Sequence, residues 1–260
     1  MDKKALISTL RELGITPSKL MGQTFLLDET IAQNIVIIAA VTNKVAIEVG
    51  PGLGILTNYL LPKVKHLILV ERDPLLAGYL KRTLTVSNYT LITADILKQH
   101  IPRLYKEGKV KIVSNLPYSI ISSFLRWLIH EKNYIEDVTL MLPQDVVDKL
   151  LATPGTKKYS ALTVIYAIST RITRYFVVPP HVFYPRPKIF SEVVKIEFNE
   201  LDLPRGFIKF VEHGFTARRR KLKNIFTQYK LDNFGDKRPD QLTPDEWLTI
   251  YNRLSRYDNH

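Results

Sequence analysis

The residues best suited to chemistry stand where an apolar run stops, at Ile112-Val113-Ser114-Asn115-Leu116-Pro117-Tyr118. Pro117 has no amide hydrogen and a fixed φ, and it drives Leu116 into an extended conformation, so Asn115 to Tyr118 cannot continue as helix. They form a rigid ledge at a strand end. There the Asn115 amide oxygen and nearby backbone carbonyls are available as hydrogen-bond acceptors, and the Tyr118 ring lays a flat face beside them. That combination suits an exocyclic amino group on a planar base. The same residues also suit an ordinary strand-to-loop turn, since Asn and Pro are common turn formers, and the upstream sequence decides between the two.

Upstream, a short apolar run from Val45 to Val49 leads into Gly50-Pro51-Gly52-Leu53-Gly54. A glycine turn between a strand and a helix lets backbone approach a ligand closely, and an acid at the end of the next strand, here Glu71, can hydrogen-bond a ribose. The third glycine of the dinucleotide fingerprint is missing. Glu48, inside the strand ahead of the turn, is the sharper clue, because a buried carboxylate repels a pyrophosphate and suits a cationic or amine-bearing ligand. S-adenosylmethionine carries a sulfonium, an ammonium and an adenosine, and it satisfies the glycine turn, Glu48 and Glu71 together. Asp95, at the end of a third strand, is placed to accept from the adenine amino group of that cofactor.

With these residues assembled, the chain resembles the ribosomal RNA adenine dimethyltransferases. The resemblance rests on Glu48-Val49-Gly50-Pro51-Gly52-Leu53-Gly54, Glu71-Arg72-Asp73, Ala94-Asp95-Ile96 and Asn115-Leu116-Pro117-Tyr118, with Gly22-Gln23-Thr24-Phe25-Leu26 upstream. Val178 to Lys188 resembles the family's loop between the last two strands, and Arg218 to Asn224 its C-terminal basic helix. The resemblance implies cofactor contacts at Gln23, Thr24, Leu26, Gly50, Glu71, Asp95 and Asn115, to which the residue reading adds Glu48 and Gly52. It implies a target adenine held by Asn115, Leu116 and Tyr118, with Phe183 stacking from the opposite side. This chain departs from the family at Thr24, where Asn is usual; a Thr side chain is shorter and lacks the amide, which puts a side-chain contact there in question. The implied reaction is dimethylation at N6 of adjacent adenosines near the 3′ end of small-subunit rRNA. Two other readings stand beside it: a large-subunit adenine methyltransferase of the antibiotic-resistance type, and a non-catalytic RNA-binding assembly factor.

The elements that must position these residues follow a βαβ pattern. Strands are expected at Val45–Val49, Leu67–Val70, Thr90–Thr93, Val110–Ser114 and Val138–Leu142, with an antiparallel pair at Arg171–Val178 and Glu192–Phe198. The expected fold is therefore α/β, a seven-stranded Rossmann-like sheet of the class I methyltransferase type. From about Leu201 the periodicity turns helical, with one or two helices over Phe207–Tyr229. A further helix opens at Thr243-Pro244-Asp245-Glu246, which reads as a capping box with Pro at the first helical position. Residues 1–200 are read as the methyltransferase domain and 201–260 as a helical domain that binds RNA.

Lys and Arg number 37 against 25 Asp and Glu, for a net charge of +12, which points to a polyanionic partner. The charge is concentrated: Lys149 to Ser191 holds seven basic residues and no acidic one, and Gly214 to Lys230 holds six and none. The cations expected to meet RNA are Lys157, Lys158, Arg186, Lys188, Arg218, Arg219, Arg220, Lys221 and Lys223. The absence of cysteine excludes disulfides, thiolate metal sites and cysteine nucleophiles, and the six scattered histidines lack ligand spacing, so no metal is expected. No apolar run is long enough to span a membrane, and the N-terminal residues fit neither a secretory signal nor a transit peptide. The expectation is a cytoplasmic monomer acting on ribosomal RNA, away from membranes.

Overall fold

In the computed structural model, which describes residues 2–17 and 22–257, the apolar runs become strands. In chain order the elements are α1 (Lys3–Glu12), β1 (Phe25–Leu26), α2 (Glu29–Ala39), β2 (Val45–Val49), α3 (Ile55–Leu60), β3 (His66–Glu71) and α4 (Pro74–Thr83). There follow β4 (Tyr89–Thr93), α5 (Ile101–Leu104), β5 (Val110–Asn115), α6 (Ile121–Glu131), β6 (Ile135–Pro143), α7 (Gln144–Leu150) and α8 (Ala161–Ser169). The chain then forms β7 (Thr170–Val178), β8 (Phe183–Tyr184), β9 (Ser191–Phe198), α9 (Phe207–Thr216) and α10 (Pro244–Tyr257).

The main sheet has the seven strands expected, in the order β4-β3-β2-β5-β6-β9-β7. Pairing is parallel from β4 through β6, and β9 joins β6 antiparallel. Strand β2 is buried throughout, and β3 and β5 nearly so, which is why they read as continuous apolar runs rather than alternating ones. The order reverses at β2, with β3 on one side and β5 on the other. Such a switch point opens a crevice at the carboxyl ends of the strands. A second sheet, not foreseen, pairs β1 with β8, Phe25 opposite Tyr184 and Leu26 opposite Phe183.

By its contacts the chain divides into two compact units: Met1–Gln144 with Ile172–Glu197, and Asp145–Arg171 with Phe198–His260. The second unit takes in residues ahead of the boundary expected at 200. In the first unit, Ala32, Ile35, Val36 and Ala39 of α2 share a core with Leu56, Leu60, Leu67, Leu69 and Val113. In the second, Tyr159, Phe207, Val211, Phe226, Trp247 and Ile250 form a separate core. Helix α10 begins with the predicted capping box: the Thr243 amide donates to Glu246 Oε2 at 2.9 Å and the Glu246 amide to Thr243 Oγ1 at 3.1 Å.

The basic run is not helical, contrary to what the resemblance implied. Helix α9 ends at Thr216, Ala217 leaves the helical region at φ −125°, ψ 50°, and only a single 3-10 turn, Leu222–Asn224, follows in this stretch. Four successive cations from Arg218 to Lys221 would repel along a helix. The Arg218 guanidinium instead donates to the carbonyls of Lys157 and Thr156 at 2.6 and 2.7 Å. Among the described residues no helix is long and apolar enough to cross a membrane.

Candidate active site

Two adjoining cavities open at the switch point, both lined by Gln23, Gly50, Glu71 and Pro117. The first also has Thr24, Leu26, Glu48, Gly52 and Asn115 in its walls, and the second has Arg72, Asp95 and Ile96. The three acids stand in or just after successive strands β2, β3 and β4, where a parallel sheet presents its strand ends to one edge.

Glu48 is 2% exposed and accepts a hydrogen bond from the Thr57 hydroxyl at 2.7 Å. Burial pushes its carboxyl up to about 8; the Thr57 hydrogen bond opposes that shift and the charge of Glu71 adds to it. Glu71 accepts the Gly52 amide at 3.1 Å on one oxygen and the Asp73 amide at 2.9 Å on the other. Burial raises its pKa, and those two amides work the other way. Each carboxylate oxygen has a second lone pair, so acceptor capacity remains for a ligand. Asp95 caps the turn that follows it by accepting the Leu97 amide at 3.0 Å, and its other oxygen lies 3.9 Å from the Arg72 guanidinium. It is thus both a cap and a wall of the second cavity.

The ledge is assembled from two distant segments. Ser114 donates its hydroxyl to the Val49 carbonyl at 2.5 Å, tying the end of β5 to the strand that feeds the glycine turn. The Asn115 amide donates through Nδ2 to the Thr24 carbonyl at 3.4 Å, and the Tyr118 amide donates to the Gly22 carbonyl at 3.2 Å. Gly22 has φ +61°, and a Cβ there would lie 2.8 Å from the Ser119 amide nitrogen and 2.9 Å from that of Tyr118. Only glycine admits this approach. Thr24 meets the ledge through its backbone, and its buried Oγ1 finds no hydrogen-bond partner among the described residues.

Not every expected residue reaches the cavities. The Leu116 side chain is fully buried, which leaves its carbonyl as the group able to face a base. Tyr118 bonds through its phenol to Ser191 Oγ at 3.0 Å, a partner that nothing in the sequence signalled. Phe183 is 3% exposed and belongs to the core with Leu26, Val182 and Val193. Its ring is closed off from solvent, on the strand that pairs with β1.

The expected RNA cations fall in both units. Arg186 and Lys188 are exposed in the first. In the second, Lys157, Arg219 and Arg220 are exposed, Lys158 pairs with Asp148 at 2.8 Å, and Lys221 and Lys223 share Asp236 at 2.8 and 2.9 Å. Arg218 is the exception, held by two carbonyls and lying 3.4 Å from Asp240.

A sheet of this order, with a glycine turn after β2 and acids at the ends of β3 and β4, defines a class I methyltransferase. A family model, Ribosomal RNA adenine dimethylase, matches residues 17–255. The Ribosomal RNA small subunit methyltransferase A of Lactiplantibacillus plantarum is 34% identical over 277 residues, covering 94% of this chain and 92% of its own. The fold is also that of a dimethyladenosine transferase from Plasmodium falciparum, with TM-score 0.75, 22% identity and coverage of 89% of this chain and 98% of that one. It is similar as well to the 23S rRNA methyltransferase ErmE, with TM-score 0.66, 23% identity and coverage of 89% and 99%. The chain belongs to the ribosomal RNA adenine dimethylase family, whose reaction is S-adenosylmethionine-dependent methyl transfer to adenine in ribosomal RNA.

Proposed function

We propose that the chain dimethylates N6 of adjacent adenosines near the 3′ end of small-subunit ribosomal RNA, acting as a monomer in the cytoplasm and away from membranes. The observation that carries this reading is the ledge at Asn115, fixed from across by Gly22 and Thr24 and opening on the cavity that Glu48, Gly50 and Glu71 also line.

The residues fit the cofactor. Two adjoining cavities that share Gln23, Gly50, Glu71 and Pro117 suit a ligand with an amino-acid end and a nucleoside end, and the buried Thr24 hydroxyl in the wall of the first has no partner among the described residues. Glu48 and the backbone at Gly50 and Gly52 would hold the amino-acid end, with Gln23, Thr24 and Leu26 closing over it. Glu71 would hold the ribose hydroxyls, and Asp95 the adenine amino group. Bound there, S-adenosylmethionine supplies a methyl group activated by its sulfonium.

On the other side, Asn115 Oδ1 and the Leu116 carbonyl accept the hydrogens of the target amino group. An aromatic amine is a poor nucleophile because its lone pair is delocalised into the ring; acceptors that favour the pyramidal nitrogen free that pair for in-line attack. Tyr118 supports the base by stacking, which tolerates the in-plane shift a second methylation needs. The unit formed by residues 145–171 and 198–260 would bind RNA through Lys157, Lys158, Arg219, Arg220, Lys221 and Lys223, while Arg186 and Lys188 contact it beside the ledge.

Incubating the protein with undermethylated small subunits and S-adenosylmethionine, then mapping adenosines by mass spectrometry, tests the reading. Two adjacent dimethyladenosines near the 3′ end are expected. Modification of large-subunit RNA alone, or none, would overturn it.

A further inference from the structure

We propose that Phe190, backed by Ile189, is a stacking wedge that receives the unpaired base next to the target adenosine. This rests on the reading of Asn115 to Tyr118 as the adenine site. Phe190 is 49% exposed and Ile189 41%, two consecutive large apolar side chains open to solvent directly after the exposed cations Arg186 and Lys188.

The backbone beneath them is pinned. The Gln144 amide donates to the Phe190 carbonyl at 3.0 Å, and Ser191 lies opposite Pro143 in the β6–β9 ladder. Ser191 is 1% exposed and carries the hydroxyl that bonds the Tyr118 phenol at 3.0 Å. Phe190 is thus the chain neighbour of the residue bonded to Tyr118, at the start of β9.

The chemistry of the surroundings selects the occupant. One aromatic face and one branched aliphatic side chain are far too small for a protein interface, which needs on the order of 800 Å² per partner, but they match a single nucleobase. The exposed residues ahead of it, Arg186 and Lys188, are cationic, and the acid that follows, Glu192, is buried and paired with Arg174 at 2.6 Å. That charge attracts a phosphate backbone, while stacking on an aromatic face takes any unpaired base without reading its sequence. A target adenosine entering the ledge must leave its stack, and its neighbour then exposes a face of its own. Phe190 supplies the replacement partner.

The test uses the full chain with a stem-loop RNA bearing two unpaired adenosines and 2-aminopurine beside them. Wild type should quench the 2-aminopurine on binding. Phe190→Ala should lose that quench and weaken RNA affinity by about tenfold or more, the usual range for one stacked base, with cofactor affinity and thermal midpoint unchanged. Phe190→Trp should restore both quench and affinity. Unchanged RNA affinity and quench in Phe190→Ala would overturn the wedge, whether or not the wild type transfers methyl groups. Quenching that depends on Phe190 in a protein that transfers no methyl would keep the wedge and remove the methyltransferase reading. A wild type that neither binds nor quenches this RNA would remove the wedge.

Discussion

The Asn115 side chain donates through Nδ2 to the carbonyl of Thr24 at 3.4 Å, a link across 91 residues that turns the amide nitrogen toward that segment. With the nitrogen turned to Thr24, Oδ1 is the end that the proposed mechanism offers to the target amino group. Asn115→Ala should therefore lower kcat by about 10²–10³, the loss typical of one preorganised contact that strengthens in the transition state. RNA affinity should change far less, because the proposed phosphate contacts lie elsewhere. Equal loss of RNA binding and turnover, in paired binding and single-turnover assays, would make Asn115 a structural residue only.

Glu48 sets a pH dependence. Its carboxyl is pushed from 4.5 up to about 8, chiefly by burial, so between those values the native state holds a proton that the unfolded chain has released. The stability this gives is complete below about pH 4.5 and is lost as the pH rises through about 8. Glu48→Gln cannot ionise and should flatten that part of the stability curve, as read from urea unfolding at several pH values. Parallel curves for the two proteins would show that Glu48 titrates normally.

Gly22→Ala tests the ledge from its far side. The added Cβ would meet two backbone nitrogens at 2.8 and 2.9 Å, in a backbone conformation with φ +61°. A destabilisation of about 1–3 kcal/mol follows from the strained conformation alone, and turnover should fall with the ledge displaced. A variant with wild-type melting and turnover would mean that the 22–24 segment is not anchored there.

The basic run should divide in two by experiment. Neutralising Arg219 and Arg220 should flatten the salt dependence of RNA binding, each lost phosphate contact removing roughly 0.7–0.9 from the log–log slope, with thermal stability kept. Arg218→Ala should do the reverse, lowering the melting temperature because the carbonyls of Thr156 and Lys157 lose their donor. A salt slope that moves with Arg218 and not with its neighbours would reverse the assignment.

Much of the fold was legible in the sequence because the parallel strands are buried and so read as continuous apolar runs. Val45–Val49 was placed to the residue, and the turn, the acids and Asn115 followed from what stands at each strand end. Helix α8 was missed. Seven of its nine residues are buried, so it shows no apolar stripe, and Thr163, Val164, Ile165 and Ile168 favour strand. Strands β1 and β8 are two residues long, too short to carry a period. The burial of Phe183 and the two carbonyls that hold Arg218 were not legible, because residue type shows what a side chain can do and long-range pairing decides which way it faces.

The ribbon formed by β1 and β8 has a thermodynamic meaning. Its first strand continues from Gln23 and Thr24 beside the cavities, and its second leads through Arg186 and Lys188 to Phe190; Phe25 opposite Tyr184, Leu26 opposite Phe183, and the Leu27 amide donating to the Val182 carbonyl at 2.8 Å fasten the two together. In the proposed reading, a ligand that stiffens one strand lowers the entropy the other must lose on meeting RNA. Whatever factor the cofactor contributes to RNA affinity through this ribbon, RNA must return to cofactor affinity in equal measure.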